Sequence, residues 1–365
     1  MVYIHIPFCQ SRCIYCGFYS STLMELRQRY VDAVCREYDM RQDYITLPSS
    51  TIYIGGGTPS TLTGEQLEQL FATVGGAAEV TLECNPDDVT PDFASLLRSL
   101  PVNRVSMGAQ TFSDERLRFL RRRHTSRQVP LAVERLRQAG IGNISVDLIY
   151  GFPGQTLAEW EADVDKALAL DIEHLSAYAL SYEEGTPLHR LMEQGHVQPV
   201  DDELSRTMYY TLLDRTAAVG LEHYEISNFA RPGRRSRHNS GYWNQTPYLG
   251  LGAAAHSYDG KSRRWNVADV VKYIEGVESG RLNYEGETLD AETRYNELIM
   301  TSLRTSDGLS LQLLSPAERS YCLGMATRYI DGGLLVRDNE RDRLCLSRDG
   351  LFVSDMVIAD LMKVH

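Results

Sequence analysis

Three cysteines carry the most specific chemistry in this chain. They fall in the run His5-Ile-Pro-Phe-Cys9-Gln-Ser-Arg-Cys13-Ile-Tyr-Cys16-Gly-Phe18, four and then three residues apart. Thiolates so spaced can converge on one soft metal centre. They supply three ligands and leave a fourth position open. A [4Fe–4S] cubane held by four cysteines passes electrons, whereas one held by three keeps an iron free to bind something else. A catalytic zinc with an open position follows the same logic, and His5 or His124 could complete such a set. Zinc knuckles, however, pair one close cysteine couple with a distant second couple. Here Cys35, Cys84, Cys322 and Cys345 are scattered and read as small buried apolar side chains. The spacing favours a cluster.

A second feature is Gly55-Gly56-Gly57-Thr58-Pro59. Glycine permits backbone conformations and close approach that a side chain would block, although a bare glycine run marks no more than a tight turn. Further polar positions are Glu83-Cys84-Asn85-Pro86, Gln110, Asp147 and the stretch from Tyr178 to Ser181. A third feature is His238-Asn-Ser-Gly-Tyr242-Trp243. A neutral imidazole can ligate heme iron, and neighbouring aromatics can stack on a porphyrin. Arg231, Arg234, Arg235 and Arg237 precede it, a local basic cluster suited to carboxylates. Taken alone, a loop histidine is more often a hydrogen-bonding surface residue.

The elements that must position these groups alternate. Strand patterns cover residues 2–6, 51–54, 79–83, 104–107, 143–149 and 174–179, with helical patterns over 23–40, 64–74, 91–100, 127–139 and 157–170. Such alternation predicts a mostly parallel sheet with crossover helices. Nearly every strand ends in one of the chemically equipped segments above. A doubly wound sheet would gather them at one crevice. Their even spread favours an α/β fold in the form of a partial (β/α)6 barrel, whose loops open on one face. Beyond it come a helix over 202–219, a short strand over 221–226, a polar loop over 231–244 and a helix over 267–279. From about residue 291 two helices, two short strands around a charged turn and a last helix over 351–363 suggest a winged-helix-like α+β unit. Asp338, Glu340 and Asp342 in that turn favour packing or docking over DNA binding. The expected division is 1–230 for the barrel, 231–290 for an extension and 291–365 for the C-terminal domain.

Composition narrows the function classes. The 365 residues are 43% hydrophobic and 24% charged, ordinary for a globular protein with a sizeable core. A net charge of -12 argues against a nucleic-acid partner. No apolar run is long enough for a membrane span, and no basic segment followed by an apolar stretch marks a secretory leader. Seven mostly scattered cysteines suit a reducing cytoplasm.

The cysteine run, the Gly-Gly-Gly-Thr-Pro turn and Glu-Cys-Asn-Pro together resemble the radical SAM superfamily. More narrowly they resemble its group of oxygen-independent coproporphyrinogen III oxidases (HemN) and heme chaperones (HemW), from Tyr3 to about Tyr258, with a HemN-like C-terminal domain beyond. The resemblance implies a [4Fe–4S] cluster on Cys9, Cys13 and Cys16, with S-adenosylmethionine (SAM) chelating its open iron. It assigns SAM contacts to Tyr3, Tyr15, Gly56, Gly57, Thr58, Glu83, Gln110, Arg122, Asp147 and Ser181. Glu83 would neutralise a cation, and Arg122 would pair with a carboxylate through its planar fork. The resemblance also implies heme as a further cofactor, with His238 as its candidate ligand. Two activities follow: a chaperone delivering heme to hemoproteins, or an oxidative decarboxylase of coproporphyrinogen III. The decarboxylase pattern continues Cys-x-Cys where this chain has Phe18, and that enzyme carries a long arm ahead of the strand holding Tyr3. With the His238–Trp243 motif, these points favour the chaperone. The implied partners are a heme-accepting hemoprotein, respiratory and membrane-associated, and an electron donor if SAM is cleaved. The implied location is cytoplasmic, with peripheral contact at the inner membrane through that partner.

Overall fold

The computed structural model describes residues 1–44 and 49–363. Six parallel strands stand side by side in chain order: β1 (Val2–Ile6), β2 (Thr51–Gly56), β3 (Glu79–Cys84), β4 (Arg104–Gln110), β5 (Ile144–Tyr150) and β6 (His174–Ala179). The crossovers between them carry α1 (Arg27–Met40), α2 (Gly64–Val74), α3 (Pro91–Ser99), α4 (Asp114–Phe119), α5 (Gln128–Gln138) and α6 (Leu157–Leu168). The sheet is open. Past β6 follow α7 (Pro187–Glu193) and α8 (Asp202–Ala218), then β7 (Glu222–Glu225) and β8 (Asn228–Ala230), which run antiparallel at that edge. After α9 (Arg237–Trp243), β9 (Leu249–Leu251) joins β1 in parallel and forms the other edge.

Alternation within the strands gives the sheet two unlike faces. Ile52 and Ile54, Val80 and Leu82, Val105 and Met107, and Val146 and Leu148 point outward into one apolar core shared with the helices. Thr51 and Tyr53, Glu79, Thr81 and Glu83, Arg104 and Ser106, Ser145 and Asp147, and His174 and Ser176 take the intervening positions. A two-residue side-chain period puts these on the opposite face, so the lumen is polar while the outer wall is greasy. The C-terminal end of α1 carries a buried i,i+4 ion pair, Arg41 to Glu37 at 3.0 Å, whose two members both reach the β9 edge. Arg41 also donates to the Gly250 carbonyl, and Glu37 accepts from the Gly252 amide.

Beyond β9 the chain forms β10 (His256–Tyr258), β11 (Ser262–Asn266), α10 (Val270–Glu278) and β12 (Tyr284–Thr288). The three strands make a small antiparallel sheet. Val270, Tyr273, Ile274 and Val277 of α10 join the barrel's own apolar core. The remainder comprises α11 (Ala291–Leu303), β13 (Leu309–Ser310), α12 (Pro316–Asp331), β14 (Leu335–Asp338), β15 (Arg343–Leu346), α13 (Arg348–Phe352) and α14 (Ser354–Leu361). It has a separate core around Tyr295, Ile299, Leu344 and Val357. Among the described residues, no helix is long and apolar enough to cross a membrane.

Three local expectations needed revision. The polar loop over 231–244 contains α9, because Ser236 caps it and accepts from the Asn239 amide. The last helix is broken at Val353 into α13 and α14. The helix over 23–40 begins at Arg27, after a single tight turn at Met24–Leu26.

Candidate functional site

The cysteine loop leaves β1 and is pinned at both ends of its arc. Cys9 and Ser21 close its base, with Cys9 N donating to Ser21 O at 2.9 Å and Ser21 N to Pro7 O at 2.7 Å. Ile14, between two of the cysteines, is buried with Leu120, Phe152, Leu180 and Leu188. Its amide donates to Leu120 O and its carbonyl accepts from Leu188 N. One buried isoleucine thus fixes a loop that otherwise carries polar and reactive side chains.

The three thiols line a cavity of about 920 Å³ at the C-terminal ends of the strands. Burial raises the pKa of the Cys9 and Cys16 thiols. On the same wall, Gly57 donates its amide to Ile6 O at 2.8 Å. A Cβ there would come within 2.8 Å of the Pro7 backbone and 3.0 Å of Cys9 Sγ, so the turn can hug the cysteine loop only with glycine. Thr58 Oγ1 lies 3.5 Å from Cys9 Sγ.

Two ionisable groups, Arg122 and Glu83, line this space. Arg122 donates from Nη2 to Asn85 Oδ1 at 2.6 Å and to the Gly108 carbonyl at 2.7 Å, and from Nη1 to Cys13 Sγ at 3.6 Å. Its Nε is buried and has no partner within the protein. Glu83 accepts from Tyr53 OH at 2.6 Å and from the Gly56 amide at 3.1 Å. Burial pushes its carboxyl up to about 7, against those two hydrogen bonds. Burial also raises Asp147, which Ser106 approaches at 3.4 Å. Gln110 adopts a left-handed φ of 66° at a bulge in β4. That bulge follows Gly108, where a Cβ would meet Gln110 Nε2 at 2.5 Å.

The cavity wall therefore gathers Cys9, Cys13, Cys16, Tyr15, Gly56, Gly57, Thr58, Glu83, Gln110, Arg122, Asp147 and Ser181. Two expected residues lie elsewhere. Tyr3 is directed to His5, its hydroxyl 3.0 Å from Nδ1. His238 is fully buried below the cavity, with Nδ1 2.8 Å from Thr51 Oγ1 and Nε2 2.9 Å from Tyr242 OH. Burial lowers its pKa to about 3 and keeps it neutral. In this arrangement neither nitrogen is free for an iron, in contrast to the loop ligand expected from its motif. The neighbouring arginines are partly committed, Arg231 to Asp171 and Arg235 to Glu222 and Asp307. Of the histidines weighed as zinc partners, His5 is engaged at both nitrogens, whereas His124 is engaged at Nε2 and its buried Nδ1 has no partner within the protein. His5 Nε2 is 3.1 Å from Tyr19 O, and His124 Nε2 is 3.1 Å from Ala109 O. Tyr53, Ser106, Gly108 and Glu183 also line the cavity without having been singled out. Tyr53 and Ser106 could have been found from their inward register beside Glu83 and Asp147.

An N-terminal cysteine loop over the strand ends of an open parallel sheet, beside a glycine turn and an acid–base pair, is the arrangement of a radical SAM protein. The model of the Radical SAM superfamily matches residues 3–167, and that of the HemN C-terminal domain matches residues 289–353. The heme chaperone HemW of Mycobacterium tuberculosis is 35% identical over 99% of this chain and 94% of its own length. The heme chaperone HemW of Bacillus subtilis is 37% identical over 84% of each chain. The coproporphyrinogen III oxidase HemN of Escherichia coli superposes with a TM-score of 0.81 at 21% identity, over 99% of this chain and 89% of that one. That last likeness defines the fold. The chain belongs to the HemW family of the radical SAM superfamily.

Proposed function

We propose that this protein is a heme chaperone that holds a [4Fe–4S] cluster on Cys9, Cys13 and Cys16, binds SAM beside it and passes heme to an acceptor hemoprotein. The carrying observation is that the three thiols share one cavity with the Gly56–Thr58 turn, Glu83 and Arg122, in a chain related along nearly its whole length to proteins named heme chaperone HemW. The donor set fits a cluster better than a single ion. Three soft thiolates on one cavity wall are the ligand set that an iron–sulfur cluster takes.

When bound, such a cluster supplies the electron that can break a sulfonium S–C bond. The protein's own residues do the rest. The guanidinium of Arg122, held by Asn85 and the Gly108 carbonyl, is poised to pair with the methionine carboxylate and has an unused Nε donor. Glu83, once ionised, offsets the charge of the amino group. Gly56 and Gly57 let the backbone approach that group, and Tyr15, Thr58, Gln110, Asp147 and Ser181 complete the walls. Phe18, where the decarboxylase pattern has a further cysteine, is 75% exposed at the cavity mouth. In this reading the acceptor is a respiratory, membrane-associated hemoprotein reached from the cytoplasm by peripheral contact at the inner membrane, and an electron donor serves the cluster.

Anaerobic reconstitution with iron and sulfide tests the proposal, followed by parallel assays of heme binding and coproporphyrinogen III turnover. About four irons per chain are expected, lost on Cys→Ala replacement at any of the three positions. Stoichiometric heme binding without turnover is expected too. Zinc in place of iron and sulfide would overturn the cluster, and formation of protoporphyrinogen IX would overturn the pure chaperone.

A further inference from the structure

The buried imidazole below the cavity touches a continuous run of contacts leading back to the SAM site. The His238 ring packs on Tyr53 with centroids 5.2 Å apart and planes tilted by 35°. Tyr53 OH donates to Glu83 at 2.6 Å, and the other carboxylate oxygen of Glu83 accepts from the Gly56 amide at 3.1 Å. At the lower end, the imidazole is clamped between Thr51 and Tyr242, and its own backbone amide donates to Glu79 Oε1 at 2.9 Å. Thr51 and Glu79 are register partners on β2 and β3, the strands that carry Tyr53 and Glu83. Helix α9 therefore closes the lumen from below and props its contents.

We propose that His238 is a positioning residue for SAM, acting through Tyr53 on the orientation of Glu83, and is not a heme ligand. The proposal rests on Glu83 contacting SAM, as argued above. Removing the imidazole opens space beneath Tyr53, lets the phenol drop, and withdraws the donor that aims the carboxylate. A full-length, anaerobically reconstituted protein titrated with SAM and, separately, with heme tests it.

His238→Ala should weaken SAM binding about tenfold, the loss of roughly one hydrogen bond to a charged group, while heme binding and cluster absorbance persist. Tyr53→Phe should do the same. The double variant should be no weaker than either single one, because both act through one path. His238→Gln, which can still reach Thr51 and Tyr242, should recover most of the affinity and carries the test if the alanine variant does not fold. Unchanged SAM affinity in His238→Ala, additive losses in the double variant, or loss of heme with SAM affinity intact would each overturn the proposal. Glu83→Gln separates the two readings. If it leaves SAM affinity unchanged, the assignment of Glu83 as a SAM contact is the part that fails.

Discussion

At the scale of single residues, burial and hydrogen bonding set what the site can do. Glu83 is titratable near neutrality because burial raises its carboxyl to about 7. Below that value the group is protonated and neutral. Above it the group is charged and attracts a cation. SAM affinity should therefore rise between pH 6 and pH 8, and calorimetric titration across that window should show the rise abolished in Glu83→Gln. The three cysteines were legible because their spacing is a local property. Arg122 and Glu83 were reached through the resemblance. Tyr53 was missed because a tyrosine between isoleucines looks like core until its register beside Glu83 is known. His238 was misplaced for a different reason. Its neighbours Arg234, Arg235 and Arg237 suggest a solvated loop, while the groups that bury it, Thr51 and Glu79, are far away in sequence.

Elements tell a similar story. The six strands were readable because polar and apolar residues alternate in each, and the polar set faces inward. A parallel sheet covered on both faces would show near-continuous apolar runs instead. Helix α9 escaped because a seven-residue element has little periodicity to detect, and its stability comes from the Ser236 cap and the Glu79 carboxylate accepting two of its first amides. The cysteine loop has no regular structure; beyond the closure of its base at Cys9 and Ser21, Ile14 is its buried apolar anchor. Ile14→Ala should cost about 2–4 kcal/mol as a buried large-to-small change. It should also lower iron retention after anaerobic gel filtration more than an equally destabilising change on α5 does. Equal retention in the two variants would mean that the loop is held by something other than its buried isoleucine.

For the whole molecule, the question is how the C-terminal unit is joined to the barrel. Arg304, at the end of α11, donates to buried Glu225 on β7 at 3.1 and 3.0 Å and lies over the Trp243 ring of α9, 5.1 Å from its centroid. Its loss would leave a buried carboxylate short of its countercharge, a change that costs about 3 kcal/mol. Arg304→Ala should split thermal unfolding, followed by calorimetry, into two transitions as the barrel core and the C-terminal core lose one of the contacts that join them. A single unshifted transition would show that the remaining contacts, among them Ile226 N to Arg304 O and Ser306 N to Tyr224 O, suffice. Nothing in the local sequence pairs Arg304 with Glu225, since 78 residues intervene between them.

The sheet that begins at β9 and ends at β7 never meets itself. Mechanically it is a split ring. A closed cylinder of strands can widen only by tearing backbone ladders, but here the two free margins can part while every strand keeps its neighbours. The segment between β8 and β9, which contains α9, is the chain that connects the two margins.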